Sequence, residues 1–174
     1  DEVTANPFVK IKTLGVEINS HLIGLYNANN INAAITIGHN LEVPTSDIKA
    51  AIEGYIPENN RSQLLTKGSN EIILDAYNAN PGSMRVALEN FIQLDKDNKC
   101  IIIGDMYELG EESLAEHKGI VDFLNADSDF ECHFVGKDFF ANSVQKTNFH
   151  FYKTFEDFTQ YLSPVKFENK TLLI

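Results

Sequence analysis

The sequence has few cysteines and no long apolar run, and each shortage narrows the possible functions. Two cysteines occur in 174 residues, and both Cys100 and Cys132 lie inside apolar stretches without metal-ligand spacing. We therefore expect two buried thiols. The apolar runs fall far short of the ~18 residues that suggest a membrane span. The first residues lack the basic start and apolar stretch of an export signal, which predicts a cytoplasmic protein.

Basic residues are also scarce, with 14 Lys and Arg against 25 Asp and Glu and a net charge of −11. A negative body repels phosphodiester backbones, so nucleic acid is not an expected partner. The sequence G-x-x-x-x-G-K-S/T of phosphate-binding loops is absent as well. On its own, the chain has no visible means of holding the triphosphate of ATP.

The composition is that of a globular protein, with 43% apolar and 22% charged residues. Alternating apolar residues over 7–23 predict a hairpin that turns near Leu14-Gly15. A short buried helix follows from residue 29, and a second helix is predicted to begin with N-cap residues at 44–47 and to stop at Gly54. The polar, turn-rich segment 57–60 then predicts a domain boundary, with residues 1–58 before it and 59–174 after it.

The second part alternates apolar strands with amphipathic helices. This pattern predicts an α/β fold with a mostly parallel open sheet, because each parallel crossover needs a covering helix. The predicted strands lie at 72–74, 100–103, 134–135, 149–151 and 172–174. The predicted helices begin at Pro81, near Leu114, at Lys137 and at Phe155. Ligands bind outside the carboxyl ends of such strands, which singles out loops 75–83, 104–113 and 136–138.

The loop 75–83 carries the most suggestive chemistry. Asp75 ends a strand, where a carboxylate can accept hydrogen bonds from ribose hydroxyls or face a magnesium shell. The start of the following helix attracts anions. A purely structural interpretation stands beside this one, in which Asn80 caps the helix, Pro81 forms its first turn and Asp75 begins a turn.

Three further segments offer weaker signals. Asp105 ends a strand and is the best candidate for a substrate contact in loop 104–113, whereas His117 shares an apolar stripe and is expected to be a hydrogen-bonded interior residue. Asn27 and Asn30 have the side-chain amides that match the edge of adenine, although capping is the commoner use of Asn. Arg61 either reaches a phosphate or is a surface charge.

Taken in order, these segments resemble the C-terminal portion of the Mur ligase family, most closely the branch that adds D-alanyl-D-alanine. The resemblance covers residues 21–136 and rests on four segments: Gly24-Leu25-Tyr26-Asn27-Ala28-Asn29-Asn30, Asn60-Arg61-Ser62, Asp75-Ala76-Tyr77-Asn78-Ala79-Asn80-Pro81-Gly82-Ser83-Met84, and Gly104-Asp105-Met106-Tyr107-Glu108-Leu109-Gly110 with Glu116-His117. Tyr26 and Asn60 stand where many members have His and Gly.

This resemblance implies a three-domain cytoplasmic enzyme of peptidoglycan synthesis. Residues 1–58 would be the end of its central ATPase domain, and 59–174 its Rossmann-like C-terminal domain, truncated at the end. Family members use ATP and Mg²⁺ to phosphorylate the terminal carboxylate of UDP-N-acetylmuramoyl-tripeptide. The amine of D-Ala-D-Ala then attacks the acyl phosphate to form an amide.

The resemblance also implies roles for individual residues. Asn27 and Asn30 would contact adenine, Arg61 the nucleotide and Asp75 the ribose. The expected cleft for substrate and phosphates is lined by Tyr77, Asn78, Asn80, Ser83 and Asp105. No catalytic residue or metal ligand is expected in this chain, because the family's phosphate loop, magnesium ligands and carbamylated lysine belong upstream. The chain alone is therefore expected to be inactive.

Two other functions fit the same sequence features. One is a relative of folylpolyglutamate or cyanophycin synthetases, which share the architecture and the acyl-phosphate chemistry. The other is a non-enzymatic nucleotide-binding module with a Rossmann-like fold. Fold alone does not separate these functions, because sites rather than folds decide function. The oligomeric state is left open.

Overall fold

The computed structural model describes residues 2–58, 60–162 and 167–174, which form two sheets and their covering helices. The strands are β1 (Glu2–Ala5), β2 (Phe8–Thr13), β3 (Val16–Ile23), β4 (Gln63–Lys67), β5 (Asn70–Leu74), β6 (Lys99–Gly104), β7 (Glu131–Val135), β8 (Phe149–Tyr152) and β9 (Thr171–Leu173). The α-helices are α1 (Asn27–Asn40), α2 (Thr45–Gly54), α3 (Pro81–Gln93), α4 (Ser113–Asp127), α5 (Lys137–Ala141) and α6 (Phe155–Leu162). A short 3-10 helix, Gly110–Glu112, precedes α4.

The first part is an antiparallel sheet of β1, β2 and β3 with α1 and α2 packed on it. The predicted hairpin is confirmed, since β2 and β3 pair and the turn residues Leu14 and Gly15 both have positive φ. The strand β1 was not predicted, because its side chains are only partly buried and show little apolar alternation. Apolar residues of the sheet and helices form this core: Val9, Ile11, Ile18, Ala28, Ile31, Ile35 and Ile48.

The second part is a six-stranded sheet with the order β4-β5-β9-β6-β7-β8. All neighbouring pairs are parallel except β4 with β5, so the predicted α/β fold with a mostly parallel open sheet is confirmed. The helices α3, α4 and α5 cover one face. On the other face, Phe158 of α6 packs against His133 and Tyr152. The antiparallel edge strand β4 was not predicted.

The helix boundaries agree with the sequence patterns where a local cap determines them. At the start of α3, Asn80 caps the helix and Pro81 occupies the first turn, as predicted. Ser83 bonds back to Asn80 and completes a reciprocal capping box, which was not predicted. The predicted side-chain cap of α2 is wrong. The chain enters α2 from Pro44, whose carbonyl accepts the backbone N–H groups of Asp47 and Ile48.

The lengths of two helices also differ from the sequence prediction. The helix α1 begins at Asn27, two residues earlier than predicted, because the chain already turns after Gly24. The helix α5 ends at Ala141 rather than near residue 144.

The turn between β3 and α1 packs against the second part of the molecule. Ile23 belongs to the apolar core of the second part, and the Leu25 N–H donates to Asn90 Oδ1 at 3.1 Å. Gly24 has φ +86°, and a Cβ there would lie 2.6 Å from the Tyr26 ring and 3.1 Å from Asn90. A side chain at this position would therefore push the first part away from α3.

Among the helices of the described segments, none has both the length and the apolar character to cross a membrane.

The two cysteines provide a test of the core. Cys100 and Cys132 are fully buried and free, and burial raises the pKa of each thiol to about 12. Because the thiolate is the nucleophile, we expect neither to react with a disulfide reagent in the folded protein at mildly alkaline pH. Both should react after denaturation. Rapid modification of either thiol in the folded protein would contradict this packing.

Candidate functional site

A cleft of about 730 Å³ lies between α1 and the loop that follows β5. Three separate segments supply its polar walls: the start of α1, the connection into β4, and the loop between β5 and α3. Eight residues that the sequence predicts to contact a nucleotide or to line its cleft meet here: Asn27, Asn30, Arg61, Asp75, Tyr77, Asn78, Asn80 and Ser83. The fold thus brings the two asparagines and the aspartate to one crevice, although they lie far apart in the sequence.

Asp75 lines this cleft, and half of its carboxylate is hydrogen-bonded within the protein. Its Oδ1 accepts the backbone N–H of Ser62 at 3.0 Å. Within the described residues, Oδ2 has no hydrogen-bond partner. Burial raises the pKa of this carboxyl, while the Ser62 N–H and the nearby Arg61 charge oppose the rise. A carboxylate with one anchored and one open oxygen is suited to accept hydrogen bonds from sugar hydroxyls.

The two asparagines have different environments. Asn27 is buried, and its amide is engaged inside the protein, donating to the Ile23 carbonyl at 2.7 Å and accepting from Asn30 Nδ2 at 2.9 Å. Asn30 is exposed, so its carbonyl oxygen and its second N–H are available to a ligand. The pair therefore consists of an inner residue that orients the amide of an outer one.

Arg61 lies on the opposite wall, with its guanidinium carbon 4.0 Å from the centre of the Tyr77 ring. The backbone also links these segments, because the Tyr77 N–H donates to the Asn60 carbonyl at 3.1 Å. Asn60 and Ser62 both have positive φ, which folds this connection tightly beside the cleft. Stacking on Tyr77 holds a cation at the cleft while leaving its N–H donors open to an anion.

The remaining predicted residues of loop 75–83 divide into capping groups and open groups. The Asn80 side chain accepts from the Ser83 N–H at 2.9 Å, and the Ser83 hydroxyl bonds back to the Asn80 backbone. Tyr77 and Asn78 are exposed beside them. The N-terminus of α3 thus borders the cleft, where the Gly82 N–H has no partner among the described hydrogen bonds and the helix dipole favours an anion.

A second cleft of about 420 Å³ lies on the other side of the same loop. It is bounded by Asn78 and Ser83 and by Asp105 and Tyr107 after β6. The Asp105 carboxylate is nearly buried, and it accepts the backbone N–H groups of Asp138 and Phe139. Both of its oxygens thus hold the start of α5. The predicted role of Asp105 as a substrate contact stays a prediction.

The interior role predicted for His117 is confirmed. Its side chain is fully buried. Nε2 accepts the Met106 N–H at 2.9 Å, and Nδ1 lies 2.6 Å from the Ser113 carbonyl, to which it donates. The ring therefore ties together both ends of loop 104–113.

The second part of the chain matches a known protein family. The model of the Mur ligase glutamate ligase domain matches residues 60–173. The chain belongs to the Mur ligase family.

Curated relatives include two UDP-N-acetylmuramoyl-tripeptide--D-alanyl-D-alanine ligases. The protein from Treponema pallidum is 32% identical over 127 residues, covering 73% of this chain and 27% of the relative. The protein from Rickettsia prowazekii is 27% identical over 169 residues, covering 91% of this chain and 36% of the relative. The chain thus spans about a quarter to a third of the length of these relatives.

Solved structures show the same fold over nearly the whole chain. MurF from Acinetobacter baumannii superposes with a TM-score of 0.79 at 24% identity, covering 99% of this chain and 40% of that one. MurF ligase from Thermotoga maritima, solved in complex with ADP, superposes with a TM-score of 0.74 at 17% identity, covering 95% and 39%. The likeness therefore includes the antiparallel first part as well as the Mur ligase domain.

The clusters of potential metal ligands in the described part of this Mur ligase chain do not include Asp75. In the described part of the chain, two groups of three have ligand atoms within 4.8 Å of one another. One is Cys100, Glu131 and His133, and the other is Asp105, His117 and Asp138. Hydrogen bonds already account for the second group.

Sequence reasoning missed two polar residues of the larger cleft. Tyr26 and Ser62 both line it, and their hydroxyls are hydrogen-bonded to each other across the two parts. Both belong to segments that carry the family resemblance, and Tyr26 stands where many members have His, but neither was assigned a role in the site. Their pairing depends on how the two parts pack and has no local sequence signal.

The contact between Asp105 and α5 predicts a large effect at one glycine. Gly136 has φ +137°, and a Cβ there would lie 2.2 Å from Asp105 Cγ. Gly136→Ala must therefore displace the carboxylate from the start of α5. We expect the free energy of unfolding, measured with urea, to fall by about 3 kcal/mol or more.

Gly68→Ala is the matched control, because Gly68 also has positive φ (+63°) but has open space around its Cβ position. This variant should lose only about 1 kcal/mol, the cost of the backbone conformation alone. Equal losses in the two variants would show that the Asp105 contact contributes nothing.

Proposed function

We propose that the intact protein is an ATP-dependent ligase that forms an amide bond between D-alanyl-D-alanine and UDP-N-acetylmuramoyl-tripeptide in cytoplasmic peptidoglycan synthesis. Membership of the Mur ligase family supports the reaction class, and the names of the curated relatives support these substrates. One structural observation carries the proposal: Asn30, Arg61 and Asp75, from three segments, converge on one cleft.

The cleft fits the adenosine end of a nucleotide. Asn30 presents an amide donor and acceptor on one wall, as the edge of adenine requires. Asp75 presents its open oxygen toward a ribose, and Arg61 with the N-terminus of α3 supplies positive potential for phosphates. Asn27 then contributes indirectly, because its hydrogen bond orients the Asn30 side chain.

The proposed division of the enzyme follows from what this chain contains. Residues 1–58 would complete the central ATP-binding domain, and 59–174 would form the C-terminal Rossmann-like domain. The phosphate loop and the ligands of Mg²⁺ would come from the rest of the protein, since the sequence has no phosphate-loop motif. When bound, ATP supplies the phosphoryl group that activates the carboxylate of the tripeptide.

The role of this chain is then positioning rather than proton transfer or nucleophilic attack. Phosphoryl transfer is catalysed mainly by orientation and charge stabilisation, so binding groups on a second domain contribute directly to the rate. Tyr77 and Asn78 stand between the two clefts and are exposed to both. Closure of the C-terminal domain over the reacting groups would also exclude water, which protects an activated carboxylate from hydrolysis.

Two substitutions in the intact protein test the nucleotide site. Asn30→Ala removes an amide offered to adenine, and Asp75→Ala removes a carboxylate offered to ribose. We expect each to raise the KM for ATP about 10-fold, the loss of one or two hydrogen bonds to a bound ligand. Steady-state kinetics with ATP as the varied substrate give the result.

The matched control is Asn32→Ala, which removes an exposed amide from the same helix but outside the cleft. Its KM for ATP should be that of the unaltered protein. Unchanged ATP kinetics in both Asn30→Ala and Asp75→Ala would contradict the assignment of this cleft to the nucleotide. That result would favour a different function for the domain.

The isolated chain should bind nucleotide weakly and catalyse nothing. It offers contacts to adenosine but no phosphate loop, so most of the binding energy of a triphosphate is missing. We expect no phosphate release from ATP above the background rate, with or without the peptide substrates. Sustained ATP hydrolysis by the purified chain would contradict the proposed division of the enzyme.

A further inference from the structure

Three residues form a hydrogen-bonded chain across the junction of the two parts. The Tyr26 hydroxyl, from the turn before α1, is hydrogen-bonded to the Ser62 hydroxyl in the connection into β4. The Ser62 backbone N–H then donates to Asp75 Oδ1 at 3.0 Å. Tyr26 is therefore linked to the carboxylate of the cleft through one intervening residue.

The middle residue of this chain is held in an uncommon conformation. Ser62 is 5% exposed and has φ +49°, in the left-handed region that few residues other than glycine adopt. This conformation aims its N–H at Asp75 while its hydroxyl faces Tyr26. Without the bond to Tyr26, nothing else among the described hydrogen bonds of Ser62 ties its side chain to the first part of the molecule.

Tyr26 itself is fixed from two directions. Gly24 leaves room for its ring, since a Cβ at that position would lie 2.6 Å from the ring. The next residue, Leu25, is bound to Asn90 of α3 through its N–H. The hydroxyl of Tyr26 is thus presented to Ser62 by a turn that is already anchored on the second part.

The geometry points to Tyr26 as a positioning residue for the nucleotide, acting through Ser62 to hold Asp75 with one oxygen anchored and the other open to the cleft. Asp75 is left with a single open acceptor direction because Ser62 occupies Oδ1. A ligand hydroxyl then meets a carboxylate that is already oriented, so less conformational entropy is lost on binding. This inference rests on the proposed nucleotide site and assigns a further residue to it.

Tyr26→Phe in the intact protein tests the inference, because it removes the hydroxyl and keeps the ring. We expect the KM for ATP to rise about 3- to 10-fold, the effect of one hydrogen bond. The values of kcat and of the KM for each peptide substrate should change less than about 2-fold, since the interaction acts on nucleotide binding alone. Titration calorimetry with a non-hydrolysable ATP analogue should show the same loss of affinity without turnover.

A double-mutant cycle separates positioning from general stability. Ser62→Ala should raise the KM for ATP by a similar factor, and Tyr26→Phe with Ser62→Ala should be no worse than the larger single effect. The control Tyr161→Phe removes a hydroxyl from α6, where the ring packs against His150 and Tyr152, and should leave ATP binding unchanged.

The outcomes distinguish this inference from the proposed function. A raised KM for ATP in Asp75→Ala with none in Tyr26→Phe overturns the positioning role and leaves the nucleotide site standing. Unchanged ATP kinetics in both Asn30→Ala and Asp75→Ala overturns the site itself, and unchanged kinetics in Asp75→Ala alone overturns the positioning role. A lowered melting temperature in Tyr26→Phe with equal losses toward every substrate shows a structural role only, and also overturns the inference.

Discussion

The whole arrangement depends on the close packing of the β3–α1 turn against α3. Gly24 lacks a side chain, so the Tyr26 ring and Asn90 approach the backbone closely, and Leu25 is hydrogen-bonded to Asn90. Ile23, the last residue of β3, enters the apolar core of the parallel sheet. The start of α1 and the end of β5 therefore face each other, and the larger cleft is the space left between them.

Within this cleft, many polar groups serve the protein rather than a ligand. The side chain of Asn27 is hydrogen-bonded to Asn30, and the side chain of Asn80 caps α3. The groups left open include the outer amide of Asn30, the second oxygen of Asp75 and the guanidinium of Arg61. An inner residue that orients an outer one reduces the freedom lost on binding, so such pairs favour recognition of one ligand shape.

The loop between β5 and α3 has a second consequence, because it forms a wall of both clefts. Asn78 and Ser83 line each of them. Across the smaller cleft, loop 104–113 is held by His117 at both ends, and Asp105 fixes the start of α5. A group bound in one cleft is thus separated from a group in the other by a single short loop.

The sequence by itself determined those features that depend on neighbouring residues. The start of α3 at Asn80 and Pro81, the turn at Leu14 and Gly15, and the continuous apolar strands of a parallel sheet all have local causes, namely capping, backbone conformation and burial. The edge strands β1 and β4 escaped prediction because their side chains are largely exposed and lack an apolar pattern. The family and its candidate residues were also recognisable from short motifs, and the boundary near residues 57–60 stays a prediction.

Only the tertiary structure decided which polar groups remain free for a ligand. Asn27 and Asn30 are equivalent in sequence, yet one is buried and engaged and the other is open. Tyr26 and Ser62 belong to two different motif segments, and their contact forms across a separation of 36 residues. Hydrogen bonds between distant segments follow from how the two parts pack, and this packing is not encoded in any local pattern of residues.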